Sequence, residues 1–380
     1  LRTAHSADKF ERTFEPKAKE DEMTEIAWQM VKPSAPLELK EIHPREPGPG
    51  EAWLRVAGCG ICHTDIGFLH GGVRTRHDLP LTLGHEIAAR VEAVGPKATV
   101  ISGRALEPGD AVVVPAVLPC GHCPLCLAGR DNICLEQKMP GNDLDGGFAT
   151  HVMMPARYLV PADNLPPDHE LRHLAVVADA VTTPFQALHR ARVAPDDWVV
   201  VIGVGGVGIY GVQIAAALEA KVLAVDIDPG KVEQALAYGA GAALSVAGLD
   251  EKAARKAVSE AAKKAGFPAH GWKIFEMSGT AAGQRLAYSL LSYAGTLGVI
   301  GYTRDKVEVR LSNLMAFDAD VFGSWGCSPR HYSTVLDWIA QERIQVKPFV
   351  SFHPLSEVNA VLEQTRRGEI KTRPVLVPER

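Results

Sequence analysis

The chain lacks any long basic run. Its 40 Lys and Arg stand against 45 Asp and Glu, a formal net charge of −5, whereas a nucleic-acid surface needs a basic domain or stripe. That balance argues against nucleic acid as a partner and leaves small-molecule chemistry. An uninterrupted apolar span is also missing. The most apolar stretch, residues 198–218, is broken by Gly203, Gly205, Gly206, Gly208 and Gly211, which fits a buried strand and helix and not a membrane segment. The first residues are polar and charged, without the apolar core of a secretory signal. Repeats and low-complexity tracts are absent. The seven cysteines are crowded where a disulfide framework would spread them, which reads as metal ligation in a reducing cytoplasm.

What is present is an ordinary globular composition, 46% hydrophobic and 22% charged over 380 residues, long enough for two domains with their own cores. Residues 1–22 are rich in Lys, Glu and Arg without apolar period, an upstream extension or tag-like tail. Apolar and polar residues alternate over 26–42 and 51–57 on either side of a turn-rich segment, 44–50, and this predicts strands joined by a loop. A strand over 86–94, a turn at Pro108-Gly109-Asp110 and a β-branched run over 111–114 make the first third mainly β. From Asp179 the pattern changes. Helices are predicted over 183–192, 208–220, 229–238 and 251–265, and strands over 198–202, 221–226, 242–246, 273–277 and 295–300. Such alternation implies a parallel sheet covered by helices on both faces. The tail returns to a helix over 332–341 and strand-like pieces ending at 374–377.

Three motifs carry the chemistry. Gly58-Cys59-Gly60-Ile61-Cys62-His63-Thr64-Asp65, read with Gly84-His85-Glu86, supplies a thiolate, an imidazole, a hydroxyl and carboxylates. Cys62 and His85 can both ligate zinc if the chain folds back, and a site with few protein ligands keeps a position for water or substrate. Cys120, Cys123, Cys126 and Cys134 place four thiols within fifteen residues. Four protein ligands close a coordination sphere, so that metal is structural; a single iron suits the same ligands, and two disulfides would strain such short loops. Gly203-Val204-Gly205-Gly206-Val207-Gly208 follows an apolar strand and opens an apolar helix, with Asp226 standing 18 residues after Gly208. The glycines allow a tight turn, close approach of a diphosphate and tight helix packing, and the acid accepts from ribose hydroxyls but repels a 2′-phosphate. The expected cofactor is NAD and not NADP.

Together these motifs resemble the zinc-dependent medium-chain alcohol dehydrogenases over nearly all of 23–378. The resemblance implies an α/β fold: a Rossmann doubly wound parallel sheet, residues 181–325, beside a mainly β, partly open barrel-like (GroES-like) catalytic zinc domain, residues 23–180, which 326–380 rejoin. It implies two zinc ions per chain, one catalytic and one structural. By motif, Cys62 and His85 are catalytic ligands, Thr64 begins a proton relay, Asp65 supports the ligands and Glu86 is an alternative ligand. Cys120, Cys123, Cys126 and Cys134 hold the structural ion, and Thr183, Gly203, Gly205, Gly206, Val207, Gly208 and Asp226 meet the cofactor. Two positions depart from the family. Where its third ligand, a cysteine, normally stands, this chain reads Ala178-Asp179-Ala180-Val181-Thr182-Thr183-Pro184-Phe185. Asp179 is the expected replacement, since a carboxylate ligates zinc and carries the charge of a thiolate, with Glu86 as substitute. The relay often ends in a histidine where this chain has Gly67. His63 is expected to face the diphosphate or a solvent path, and Cys59 to serve packing.

A narrower resemblance rests on residues 72–86, 178–186, 271–275, 305–317 and 324–327, which look like the 6-hydroxycyclohex-1-ene-1-carbonyl-CoA dehydrogenases. It implies oxidation of a ring hydroxyl beside the carbon bearing the thioester, in anaerobic benzoyl-CoA degradation. Arg74 and Arg76 then meet CoA phosphates or remain solvated loop charges. The family further implies homodimers or homotetramers, with residues 321–325 as a subunit-edge strand. Competing expectations are a dehydrogenase of free alcohols, a zinc-free reductase of the same fold and a zinc-stabilised binding module.

Overall fold

The computed structural model describes residues 25–166 and 168–379; the expected tail, 1–22, lies outside them. Its centre is a six-stranded sheet in the order Ala242–Ser245, Lys221–Asp226, Trp198–Ile202, Lys273–Glu276, Thr296–Val299, Asp320–Gly323. All five pairings are parallel. Strands buried on both faces read as continuous apolar runs, and Trp198–Ile202 shows why. Val199 and Val201 face one core cluster with the helix Gly208–Ala217, while Val200 and Ile202 face another with Ala254, Val258 and Leu286.

The second body is a seven-stranded sheet. Its path runs Val350–Pro354, Arg373–Val377, Glu51–Gly60, Glu86–Val94, Ala111–Val114, Val160–Pro161, and His151–Pro155 pairs with Glu51–Gly60. The chain thus leaves this body, builds the parallel sheet and returns to it. Gly58 lets the returning strand approach, since a Cβ there would stand 2.9 Å from Val375. A small sheet of Glu38–Glu41, Ile26–Met30 and Leu81–Thr82 completes it. The two bodies share a core: the 3₁₀ helix Leu171–Ala178 and the residues after it pack against Ala88 and Val113 on one side and against Val199 and Ile209 on the other.

The expected strands over 198–202 and 221–226 end where predicted. Two helices stop early. The first spans Thr182–Arg190 and the second Gly208–Ala217, because Arg192 and Glu219 take left-handed backbone conformations, φ +50° and +62°. Glycine normally marks such an ending; here arginine and glutamate hide it. Sequence periodicity also passed over the helices Ala281–Ser289 and Val358–Arg366. Among the described residues, no helix is long and apolar enough to cross a membrane.

Candidate active site

The first motif turns sharply out of the strand Glu51–Gly60 into the short helix His63–Leu69. Asp65 organises that turn. Its Oδ2 accepts from the Cys62 amide at 2.9 Å; its Oδ1 accepts from the Gly84 amide at 3.2 Å and stands 3.3 Å from His85 Nδ1. A ring nitrogen bonded to a carboxylate fixes the orientation of the other, so His85 Nε2 is aimed inward. That nitrogen is buried and has no hydrogen-bond partner among the described residues. Gly84, at φ +97°, admits this arrangement, because a Cβ there would stand 2.6 Å from Phe148 and 2.7 Å from Cys59 Sγ. Cys59 is fully buried beside it and acts as packing, burial pushing its thiol well above the ordinary value.

Asp179 arrives from the carboxyl end of the 3₁₀ helix Leu171–Ala178. Ligand atoms of Cys62, His85, Glu86 and Asp179 all lie within 4.8 Å of one another. Asp179 Oδ2 is 3.6 Å from His85 Nε2 and 3.7 Å from Cys62 Sγ. Tetrahedral zinc with bonds of about 2.0–2.3 Å separates its donors by roughly 3.3–3.8 Å, so these spacings fit. The electrostatics agree. Burial opposes charge on His85, yet the carboxylates of Asp65 and Asp179 and the Cys62 sulfur outweigh it and raise its pKa well above the imidazole value. For Asp179, burial pushes upward, but the neighbouring His85 imidazole and the Thr183 hydroxyl bring it to about 2. The pocket favours a positive charge among these three donors.

Glu86 belongs to the same cluster but is engaged elsewhere. Arg373 Nε donates to its Oε2 at 2.9 Å, Arg373 Nη2 donates to Oε1, and the Ala180 amide donates to Oε1 at 3.2 Å. Gly60 makes room for it, since a Cβ there would stand 2.1 Å from Glu86 Oε2. Thr64 Oγ1 lies 3.5 Å from Cys62 Sγ. Thr183, expected at the cofactor, gives its hydroxyl to Asp179 Oδ1 at 2.6 Å.

The glycine turn stands at the carboxyl end of the central strand. Gly203, at φ +85°, lies so close to Ser278 that a Cβ would stand 2.4 Å from its Cα, and one on Gly208 would stand 1.7 Å from the Gly203 carbonyl oxygen. Val207 opens the helix Gly208–Ala217. Asp226 braces the turn, Oδ2 accepting from the Val204 amide at 2.8 Å and Oδ1 from Asp228 at 2.9 Å. A carboxylate has about four acceptor sites, so two remain for hydroxyls. A Cβ on Gly205 or Gly206 would meet no backbone but would stand 3.6 Å from Lys231 Nζ or 3.4 Å from Arg373 Nη1. These cations, with His63, surround the turn; burial first, then Arg373 and Lys231, lower the His63 pKa. Lys231 and Arg373 were not found by motif. Lys231 carried a faint signal, following Asp226 by five residues, whereas nothing marks Arg373 in its strand.

The four thiols of the second motif form a separate cluster. Cys123 Sγ is 3.5 Å from Cys126 Sγ and 3.8 Å from Cys134 Sγ, and Cys120 Sγ is 4.0 Å from Cys126 Sγ. These are edges of a tetrathiolate tetrahedron, roughly 3.8 Å for zinc, and no disulfide links any of the seven cysteines. Amides of Cys120, Cys123 and Glu136 donate to the sulfurs at 3.2–3.3 Å.

Two family models match the chain: the alcohol dehydrogenase GroES-like domain over residues 48–165 and the zinc-binding dehydrogenase over 206–341. An alcohol dehydrogenase of Geobacillus stearothermophilus is 31% identical over 342 residues, covering 90% of this chain and 96% of the relative. A cobalt- and zinc-bound thermostable alcohol dehydrogenase from Pyrobaculum aerophilum is 28% identical, with a TM-score of 0.79 over 94% of this chain and 100% of that one. An alcohol dehydrogenase from Thermotoga maritima, 24% identical, shares the fold with a TM-score of 0.84 over 94% of this chain and 100% of that one.

Proposed function

The chain belongs to the zinc-dependent medium-chain alcohol dehydrogenases, oxidoreductases that act on CH–OH groups, and on that premise we propose that it oxidises a ring secondary alcohol with NAD, converting 6-hydroxycyclohex-1-ene-1-carbonyl-CoA to the 6-oxo thioester. The observation that carries the reaction class is the convergence of Cys62, His85 and Asp179 within 4.8 Å next to the glycine turn. Arg373 bridges the two places, binding Glu86 and standing 3.4 Å from the point where a Gly206 Cβ would sit.

In this reading Cys62, His85 and Asp179 hold the catalytic zinc, Glu86 is held back by Arg373, and the four-cysteine cluster holds a second ion. Zinc supplies Lewis acidity that makes a bound hydroxyl a far stronger acid, and NAD accepts two electrons as hydride. Asp65 keeps His85 Nε2 turned to the cluster. Thr64 is the first group placed to take the hydroxyl proton, and Gly67 offers no imidazole for the next step. Lys231, His63 and Arg373 set positive charge around the turn for a diphosphate. Asp226 keeps acceptors for the adenosine ribose and opposes a 2′-phosphate.

The acyl-CoA reading is supported by the sequence segments that resemble such dehydrogenases and by Arg74. That guanidinium is exposed and makes no ion pair among the described residues, on the loop after the helix His63–Leu69. Arg76 is engaged with Asp143 at 3.5 Å and the Gln137 carbonyl at 3.4 Å. The same proposal includes a homodimer or homotetramer, since the sheet ends on Asp320–Gly323 with Val321 and Trp325 exposed, and a cytoplasmic location consistent with free thiols. NADH formation with the cyclic hydroxyacyl-CoA, set against simple primary and secondary alcohols, tests the substrate. Turnover of free alcohols alone overturns the CoA reading, a higher kcat/KM for NADP overturns the cofactor, and fewer than two zincs per chain overturns the metal assignment.

A further inference from the structure

We propose that Thr183 is a positioning residue that restricts Asp179 to a single metal-facing oxygen. The inference rests on the reading of Asp179 as a ligand. A carboxylate offers two oxygens and can bind a cation through one or both. Here they are divided. Oδ1 accepts the Thr183 hydroxyl at 2.6 Å, while Oδ2 stands 3.6 Å from His85 Nε2 and 3.7 Å from Cys62 Sγ. Oδ2 thus has tetrahedral spacing to the other two donors, roughly 3.3–3.8 Å in an ideal zinc site.

The division is built into the backbone. The Thr183 amide donates to the Asp179 carbonyl at 2.8 Å, so one turn brings both the main chain and the side chain of Thr183 onto the same aspartate. A β-branched residue is stiff about χ1, which holds the hydroxyl in place. The turn itself is pinned on three sides. Tyr332 donates to the Ala178 carbonyl, the Ala180 amide to Glu86 Oε1 at 3.2 Å, and Thr182 Oγ1 to the Val177 carbonyl at 2.9 Å.

A thiolate at this position would have one donor atom and need no such partner. An unrestrained aspartate could turn its second oxygen to the ion and fill the position a substrate hydroxyl requires. Thr183 therefore does for a carboxylate what a hydrogen-bonded carboxylate does for a histidine ligand, a role whose removal typically weakens metal binding or activity by about 10–100-fold.

Thr183→Val keeps the branched shape and deletes the donor, and Thr183→Ser restores it. Zinc content per chain is measured by mass spectrometry after timed exposure to a chelator, and the cobalt-substituted protein is read by its visible absorption, which weakens as coordination rises from four to five. The expected result is a catalytic ion lost about 10-fold or more faster from Thr183→Val, a weaker cobalt band, recovery of both in Thr183→Ser, and an unchanged structural ion in all variants. Asp179→Ala separates the two levels. If it retains both ions like the parent, the ligand reading itself fails. If it loses the catalytic ion while Thr183→Val matches the parent in retention and spectrum, the ligand reading stands and the role of Thr183 falls. A rise in KM for NAD in Thr183→Val, with retention and spectrum unchanged, likewise overturns it in favour of a cofactor contact.

Discussion

The side-chain amide of Asn132 donates a 2.8 Å hydrogen bond to the carbonyl of Trp325, 193 positions further along the chain. Beside it, Arg330 Nε bonds Asp131 Oδ2 at 3.0 Å. The four-cysteine lobe is thereby fastened to the segment that leaves the last strand of the parallel sheet. Removing the proposed ion from that lobe with a thiol-specific reagent should lower the thermal midpoint and shift the emission of Trp325, which is 52% exposed. A Trp325→Phe variant identifies the signal. Asn132→Ala should cost about 1 kcal/mol, one hydrogen bond. An unchanged midpoint after loss of one metal per chain would show that the lobe stabilises nothing beyond itself.

Arg373 and Glu86 form a pair that is nearly inaccessible, at 7% and 0% side-chain exposure. Removing one partner leaves a buried charge unpaired, at a cost of about 3–5 kcal/mol. Arg373→Met should therefore lower urea stability by that amount and raise KM for NAD. Adding Glu86→Gln should recover much of the stability but not the KM. Equal loss in the single and double variants would mean that the pair is not the origin of the effect.

Gly208 and Gly205 serve different ends. A methyl group on Gly208 meets the Gly203 carbonyl oxygen at 1.7 Å, whereas one on Gly205 meets only the end of Lys231 at 3.6 Å. Gly208→Ala should lower the melting temperature and weaken dinucleotide binding together. Gly205→Ala should melt with the parent and show only a raised KM for NAD. Calorimetry and steady-state kinetics on the two variants check this, and a Gly205→Ala protein that unfolds early would refute it.

Glu276 gives stability a pH dependence with a definite sign. Its Oε1 accepts from Ser278 and Gly279, but burial is the larger influence and raises its pKa above 4.5, and its Oε2 is buried without a partner among the described residues. With the folded value above the unfolded one, the native state holds more proton between the two, so this group's contribution falls as pH rises through that window. Urea unfolding from pH 4.5 upward should show that decline, and Glu276→Gln should flatten it. Identical slopes in both proteins would exclude Glu276 as the source.

Much of this was legible in the residues, and the reasons differ from place to place. The strand Trp198–Ile202 is apolar on both faces, so its pattern needs no knowledge of neighbours. The four cysteines announce a tetrahedron because local turns alone bring them together. Asp179 could be placed only by counting from a resemblance, since the 117 positions separating it from Cys62 are closed by two domains packing on one 3₁₀ helix. Arg373 was invisible because it acts through residues hundreds of positions away. Thr183 was legible in identity but not in partner: a hydroxyl one turn after an acid serves ligand, cap or cofactor equally well until the backbone is drawn.

The return of the chain to its first sheet also has a consequence for the order in which the protein is made. Glu86 leaves the ribosome 287 residues before Arg373, and the strand Glu51–Gly60 waits longer still for Arg373–Val377. The parallel sheet, whose strands all lie between residues 198 and 323, can assemble while that wait lasts, as domains generally fold as units. Until Arg373 emerges, the carboxylate of Glu86 is without its counter-ion, so that pair can close only after every strand of the parallel sheet has been made.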